Sequence, residues 1–327
     1  MSDLITSDRL GDLPAPNYSY IKNTEEALRA LEVIERCPIV ELDTETDGLD
    51  PLTNKVVLMQ IGVIGKAFVF DVRKGNVDAQ IFKGVLENPN VLKLIQNALF
   101  DVEMIYSNFG IMVKRLYDTM LAEQLLYLGL KPKANLQHLV AKYLKLLLPK
   151  DVATSFVDYD QEYSDYQLRY AANDVLVLRD IYNQQLPMLQ RDSLMRVAKL
   201  EFEFVEPLAG MELSGILLSV PKWQVILDQK IIERDKLRTV LYDIFNETVD
   251  QTTLFETSLL NMDSPTQVIK GLNKLGVPVT TTDVKELSRY KNHPAVKTLL
   301  EYRKFEKFVT TYGDALMNRI HPVTGRL

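Results

Sequence analysis

The chain has 327 residues, of which 46% are hydrophobic and 25% charged, with a formal net charge of −6 and one cysteine, Cys37. No apolar run approaches the roughly 18 to 20 residues that a membrane-crossing helix needs, and a single cysteine excludes both an intrachain disulfide and a cysteine-based zinc site. The length exceeds the usual size of one hydrophobic core, so two domains, or one with a large appendage, are expected.

The N-terminal "MSDLITSDRLGDLPAPNYSY" has neither a basic region nor an apolar core, so no secretory or transit signal is expected there, and Cys37 fits a reducing cytoplasm. Charge is unevenly spread. From Gln267 onward there are 11 Lys and Arg against 5 Asp and Glu, whereas residues 1–266 hold 27 against 39. That asymmetry reads either as a tail that meets a polyanion or as ordinary solvated helix surface.

The first half alternates strand and helix signals. "YSYIK" reads as a strand, "TEEALRALEVIERC" as an amphipathic helix and "PIVELDTE" as a buried strand. "KVVLMQIGV" and "KAFVFDV" read as strands joined by a tight turn at Ile64 and Gly65. "NVDAQIFKGVLEN" follows as a helix, "NVLKLIQ" as a short strand and "ALFDVEMIYSNFG" as a helix ending at Gly110. The pattern predicts a mixed α/β sheet containing a hairpin. From Asp118 the signals turn helical, with "DTMLAEQLLYLGL", "NLQHLVAKYLKLLL" and a long helix that starts at a Ser164/Gln167 capping box and ends or kinks at Leu186-Pro187. A domain boundary is placed near residue 190. Beyond it come helices near 191–214 and 221–247, a polar loop, a helix capped by Ser264 with Pro265 in first position, and two further helical stretches.

The chemistry-bearing residues come in three groups. "IVELDTETDGLD" ends a buried strand in acids, and alternation along a strand puts Asp43 and Glu45 on one face and Thr44 on the other. Two carboxylates so close repel unless one is protonated or a cation lies between them. The strand is either entering solvent or building half of an oxygen-ligand site for a hard cation. In "LIQNALFD", Asn97 sits at a strand-to-helix junction and Asp101 in the first helical turn, as a cap and a dipole-favoured acid or as part of a site. In "LRYAAND", Tyr170 and Asp174 share a helix face at i and i+4.

Taken in order, "DTETDGL", "QNALFD" and "YAAND" resemble the three exonuclease motifs of the DnaQ-like, ribonuclease-H-type 3′-5′ exonucleases. The likeness is greatest to the proofreading domain of bacterial family-A DNA polymerases, in the subtype with tyrosine in the third motif. "LEFEFVEPLAGMELSGILLSVPKWQVIL" and the segment from Asp263 to Leu327 are similar to that family's linker and thumb helices. The resemblance covers all but about the first 15 residues. It implies a ribonuclease-H-like mixed α/β sheet flanked by helices over residues 1–190, then an all-α thumb-like region over 191–327. The palm and fingers, which hold the polymerase carboxylates, are not matched, so the chain by itself is expected not to polymerise nucleotides.

The resemblance also assigns roles. Asp43, Glu45, Asp101 and Asp174 would hold two divalent cations, Mg²⁺ or Mn²⁺, with Asp43 bridging them. Tyr170 and Glu45 would orient the attacking water. Leu49 would wedge against the terminal base, or is a loop leucine folded over the core. Asn97 would contact the substrate backbone or cap its helix, and Phe156 would stack a frayed base. Lys285, Arg289, Lys291, Lys297, Arg303, Lys304 and Lys307 would form a basic surface for the nucleic-acid backbone, or are solvated helix faces.

The expected partner is a single-stranded or frayed DNA 3′ end, with no membrane. Two alternatives stand beside this reading. One is a DNA-binding or proofreading module of a split polymerase whose palm and fingers form a separate chain. The other is a ribonuclease-D-like enzyme that trims RNA 3′ ends.

Overall fold

The computed structural model describes residues 10–148, 153–156, 161–246 and 261–327. The first nine residues and the polar loop expected after residue 247 lie outside the described residues. Two compact units are present, residues 1–214 and 215–327.

In the first unit the strands are β1 (Gly11–Asp12), β2 (Tyr18–Ile21), β3 (Ile39–Thr46), β4 (Val56–Val63), β5 (Lys66–Asp71), β6 (Leu92–Ile95), β7 (Leu116–Asp118) and β8 (Leu146–Leu147). Its helices are α1 (Thr24–Ile34), α2 (Lys83–Leu86), α3 (Ala98–Phe109), α4 (Thr119–Leu126), α5 (Leu136–Leu139), α6 (Asp165–Leu176), α7 (Leu178–Arg191) and α8 (Met195–Ser214). Six strands form one sheet in the order β2-β5-β4-β3-β6-β7, and β1 pairs separately with β8. The expected hairpin is there. β3, β4 and β5 run antiparallel in turn, and Val63 pairs with Lys66 around a two-residue turn whose Gly65 has φ +73°, a left-handed value glycine adopts without steric cost. β2, β6 and β7 add in parallel.

β3 therefore lies inside the sheet with both faces covered. Val40, Leu42, Met59, Ile61, Phe68 and Phe70 pack into the larger core with α1, α3 and α8. On the other face Leu58, Val69 and Ala67 meet Leu168, Ala171, Ala172 and Val175 of α6. The alanine pair lets α6 lie close on the strands.

Several expectations shift. "NVDAQIFKGVLEN" forms a 3₁₀ turn over Ala79–Phe82 followed by the four-residue α2, not one helix. The long helix from Asp165 breaks at Val177, and α7 continues through Pro187. Burial of Gln185 and Leu189 on either side of the proline holds that turn in place, so packing overrides the local preference. The boundary expected near residue 190 falls within the first unit, because Phe202, Val205 and Ala209 of α8 belong to its core.

The second unit contains α9 (Val220–Asn246), α10 (Pro265–Lys274), α11 (Val284–Leu287), α12 (Pro294–Tyr312) and α13 (Asp314–Met317). Leu241, Phe245, Val268, Leu272, Val296 and Leu299 fill its own core. Ser264 caps α10 with Pro265 in the first turn, as expected. Among the described residues no helix is long and apolar enough to cross a membrane.

Candidate metal centre

Glu41, Asp43 and Glu45 alternate along β3 and so face the α6 side. Glu41 is buried against the Arg179 guanidinium of α7, which neutralises it. Asp43 and Glu45 come at the end of the strand, where the pairing with β4 shifts between Glu45 and Thr46. Such an irregularity turns the strand end and re-aims its side chains.

α6 comes over them from the other side. Its start is fixed by the expected capping box: the Ser164 hydroxyl accepts from Gln167 N–H, and the Gln167 side chain accepts from Ser164 N–H at 3.0 Å. One helical turn then separates Tyr170 from Asp174, and both look into the same cleft as Asp43 and Glu45. One carboxylate oxygen from each of Asp43, Glu45 and Asp174 lies within 4.8 Å of the other two.

Asp101 completes the set from the first turn of α3, 2% exposed, with its Oδ1 accepting a 2.6 Å hydrogen bond from Thr44 Oγ1. Thr44 was expected to face away from the site. It does alternate with Asp43 and Glu45, but α3 begins on that side of the sheet, and the hydroxyl ties the fourth acid to the strand that carries the first two.

Four acids so placed are costly without a counter-charge. Part of Asp43 opens to the cleft, yet its carboxyl is enclosed by protein, and that burial pushes it up to about 7. Asp101 is held well above the ordinary carboxylate value, by burial first and by the charge of Asp43 second. An all-oxygen donor set of enclosed carboxylates suits a hard divalent ion. The residues present fit one.

The turn that delivers Asn97 and Asp101 is set by a residue the sequence reading passed over. Asp118, buried at the end of β7, accepts from Asn97 N–H at 3.1 Å and Ala98 N–H at 2.8 Å, and also from Met120 N–H at 2.7 Å and Leu121 N–H at 3.3 Å. One carboxylate thus caps both α3 and α4. Asn97 itself makes no side-chain cap; it sits in the left-handed region at φ 59° and ψ 51°, with its exposed side chain lining the cleft. Of its two expected roles, capping is therefore removed by the geometry. The only sequence signal for Asp118 was its place before a helical run.

The loop after β3 is braced by its own acids. Asp47 accepts from Lys55 N–H at 2.6 Å, Asp50 from Leu52 N–H at 3.0 Å, and Asn54 Oδ1 from Asp50 N–H at 3.0 Å. This bracing presents Leu49 at the cleft with 82% of its surface exposed, so it is not folded over the core.

Phe156 does not fit its expected role. Its side chain is fully buried, with the ring 5.5 Å from Tyr163 and packed with Leu168 and Ala172, and it has no free face on which a base could stack. That expectation is corrected: the aromatic in "TSFVDYD" is a core residue.

The cleft holding Asp43, Glu45, Asp101, Tyr170, Asp174, Asn97 and Leu49 has a volume of about 820 Å³. Its remaining wall mixes apolar Phe100, Met120 and Leu136 with the amides of Gln96, Gln124 and Asn135. In the second unit, Lys285, Lys291, Lys297, Lys304 and Lys307 are exposed as expected. Arg289 is exposed too and pairs with Glu286 at 2.7 Å, whereas half-buried Arg303 donates to the Thr282 carbonyl at 2.6 Å.

A family model described as 3′-5′ exonuclease matches residues 18–190. The DNA polymerase I of Aquifex aeolicus is 28% identical over 349 aligned residues, covering 95% of this chain and 56% of that protein. The ribonuclease D of Gluconacetobacter diazotrophicus is 28% identical over 178 residues, 54% of this chain and 44% of its own length. The chain thus spans about half the length of these relatives. Among solved structures, the POL domain of Pol1 from M. smegmatis in complex with DNA primer-template and dNTP overlays 93% of this chain and 51% of its own, with a TM-score of 0.72 at 19% identity. NrnC of Brucella melitensis with bound Mg²⁺ overlays 61% of this chain and 94% of its own, with a TM-score of 0.52 at 22% identity. These structural likenesses establish the ribonuclease-H-like fold with a helical C-terminal region. With the acids gathered in one cleft and more than half of the residues matched, the chain belongs to the 3′-5′ exonuclease family of the family-A DNA polymerases.

Proposed function

We propose that this protein removes nucleotides one at a time from DNA 3′ ends by phosphodiester hydrolysis. The observation that carries the reading is the convergence of Asp43, Glu45 and Asp174 within 4.8 Å, with Asp101 entering the same cleft from α3. Two divalent cations, Mg²⁺ or Mn²⁺, are the proposed cofactors. Asp43, Glu45 and Asp174 would hold one, and Asp43 with Asp101 would hold the other. When bound, such ions activate water and stabilise the leaving oxygen.

The protein's own groups do the positioning. The Tyr170 phenol and Glu45 hold the attacking water in line with the scissile phosphate, and the phenol acts as an orienting group, since its reference pKa near 10 makes it a poor base at neutral pH. Asn97 donates to the substrate backbone from the start of α3. Leu49 packs against the terminal base and keeps the last nucleotide apart from its neighbour. DNA is favoured over RNA because the DNA polymerase I relative matches 95% of the chain, including the helical second unit, whereas the ribonuclease D relative matches 54%.

The test is to incubate 5′-labelled single-stranded DNA, duplex DNA and RNA with the protein and Mg²⁺ or Mn²⁺, beside Asp101→Ala and Asp174→Ala. A metal-dependent ladder of DNA shortened from the 3′ end, lost in both variants, is expected. Faster shortening of RNA would move the reading to RNA trimming. No product from any substrate would overturn it.

A further inference from the structure

Gln60 is the one side chain in the middle of β4 that does not belong in an apolar core. The strand runs Val56 to Val63 with every residue buried, and Gln60 is 0% exposed. Neither its amide oxygen nor its amide nitrogen has a hydrogen-bond partner. Sealing an amide from water without a partner is costly, a cost that a methionine or leucine at the same place would avoid.

Its surroundings narrow down the partner it is made for. Gln60 pairs directly with Asp43 in the antiparallel β3-β4 register, so both side chains leave the same face of the sheet, with Cβ atoms about 4.5–5.5 Å apart. Across its other edge stands Val69 of β5, and two residues away along its own strand are Leu58 and Gly62. None of these side chains offers an acceptor. The polar neighbours on this face of the sheet are Glu41, Asp43 and Glu45 of β3 and Asp71 of β5, and α6 brings Asp174 over the same face. Of them, Glu41 is engaged by Arg179, Asp71 by Arg73 and Tyr20, Glu45 is opposite Leu58, and Asp43 is directly opposite Gln60.

We propose that Gln60 is a positioning residue for Asp43: its buried, unpartnered amide stands directly opposite Asp43, where its N–H can donate to the carboxylate and so fix the orientation in which Asp43 would hold a cation. Carboxylates that ligate metals are themselves held by hydrogen bonds, and loss of that support commonly costs 10- to 100-fold in affinity or activity. The inference rests on the metal-dependent reading of the cleft, but it concerns cation binding itself and can be measured without a nucleic acid.

The experiment titrates Mn²⁺ into the full chain by calorimetry, for the parent, Gln60→Met and Gln60→Leu, with Asp43→Asn as the control that removes the ligand. Met keeps the volume and removes the amide. Leu also removes the amide without adding a charge, and carries the measurement if the Met variant does not fold. The expected result is Mn²⁺ affinity lowered about tenfold or more in the Gln60 variants, at an unchanged or higher melting temperature in EDTA for Gln60→Met, with kcat reduced and KM for DNA unaltered. A folded Gln60 variant that binds Mn²⁺ within twofold of the parent overturns the proposal, whatever the nuclease assay shows. Weakened Mn²⁺ binding in a protein that shortens no oligonucleotide leaves Gln60 as a positioning residue and removes the exonuclease reading. A parent chain that binds no Mn²⁺ removes both.

Discussion

Thr44 Oγ1 donates a 2.6 Å hydrogen bond to Asp101 Oδ1, so the acid of α3 is fastened to the strand that carries Asp43 and Glu45. The donor is a neutral hydroxyl. It orients the carboxylate without neutralising it, which leaves the negative charge for a cation. Replacing Thr44 with Val keeps the shape and removes the donor, so stability should fall by only about 1 kcal/mol. The rate should fall about tenfold, because Asp101 then sits less firmly in the site. Thr44→Ser should restore the rate. Equal rates for Thr44→Val and the parent in a single-turnover assay would show that the bond has no part in the reaction.

Asp118 makes a similar contribution one step further back. With four backbone N–H groups donating to it from the starts of two helices, Asp118→Ala should cost roughly 2–4 kcal/mol in denaturant unfolding, at the upper end for a cap because two helices lose theirs together. Activity should fall even where the variant is fully folded, since α3 begins with Asn97 and carries Asp101 in its first turn. A variant that loses stability but retains the parent's kcat at low temperature would confine Asp118 to the fold.

These two residues also mark where sequence reasoning stops. Asp43 with Glu45, and Tyr170 with Asp174, are local pairs, and the periods of strand and helix alone place each pair on one face. The capping box at Ser164 and Gln167 and the turn at Ile64 and Gly65 are local too, and the structure has both. Thr44 and Asp101 are 57 residues apart, and Asp118 reaches back 20 residues to Ala98. Nothing in their immediate neighbours encodes those bonds. Phe156 was misread for a related reason: an aromatic in a polar stretch gives no sign of which way it turns, and the burial of its ring beside Tyr163 follows from how α6 packs on the sheet. The break at Val177 has no local signal: its dihedrals, −82° and −17°, stay close to helical, and no proline or glycine stands there.

The acid cluster should trade stability for function. Asp43→Asn and Asp174→Asn each remove one of three carboxylates whose oxygens lie within 4.8 Å of one another, and so relieve repulsion in the metal-free protein. Both variants should melt at or above the parent's temperature in EDTA while cleaving no substrate. Mn²⁺ at about 100 times its dissociation constant should stabilise the parent by about 2.7 kcal/mol and leave the variants unmoved. A parent whose melting temperature ignores Mn²⁺ would contradict this account of the cleft.

Leu49 offers a readout that is independent of stability. With 82% of its surface exposed on a loop braced by Asp47 and Asp50, Leu49→Ala should leave the melting temperature within error. Cleavage at paired 3′ ends should fall severalfold more than cleavage of single strands, because separating the last base pair is the work assigned to it. Equal losses on both substrates would reassign Leu49 to general contact.

Lys93 tests the electrostatics of the sheet away from the cleft. It lies in β6 beside β3, 0% exposed, and its ammonium donates to the carbonyls of Asn88 at 2.9 Å and Val91 at 3.0 Å. Burial, and secondarily the Arg115 guanidinium, bring it down to about 7. The unfolded chain keeps its lysines protonated to about pH 10.4, so between pH 7 and pH 10.4 the unfolded state binds the extra proton. Stability contributed by this site therefore rises with pH across that window, and the burden of charging the buried amine is fully present below pH 7. Lys93→Met removes the titration along with two hydrogen bonds. Whatever its net effect, the stability of Lys93→Met relative to the parent should be greatest at pH 6 and shrink steadily toward pH 10. A difference that does not vary with pH would mean that Lys93 stays charged in the folded protein.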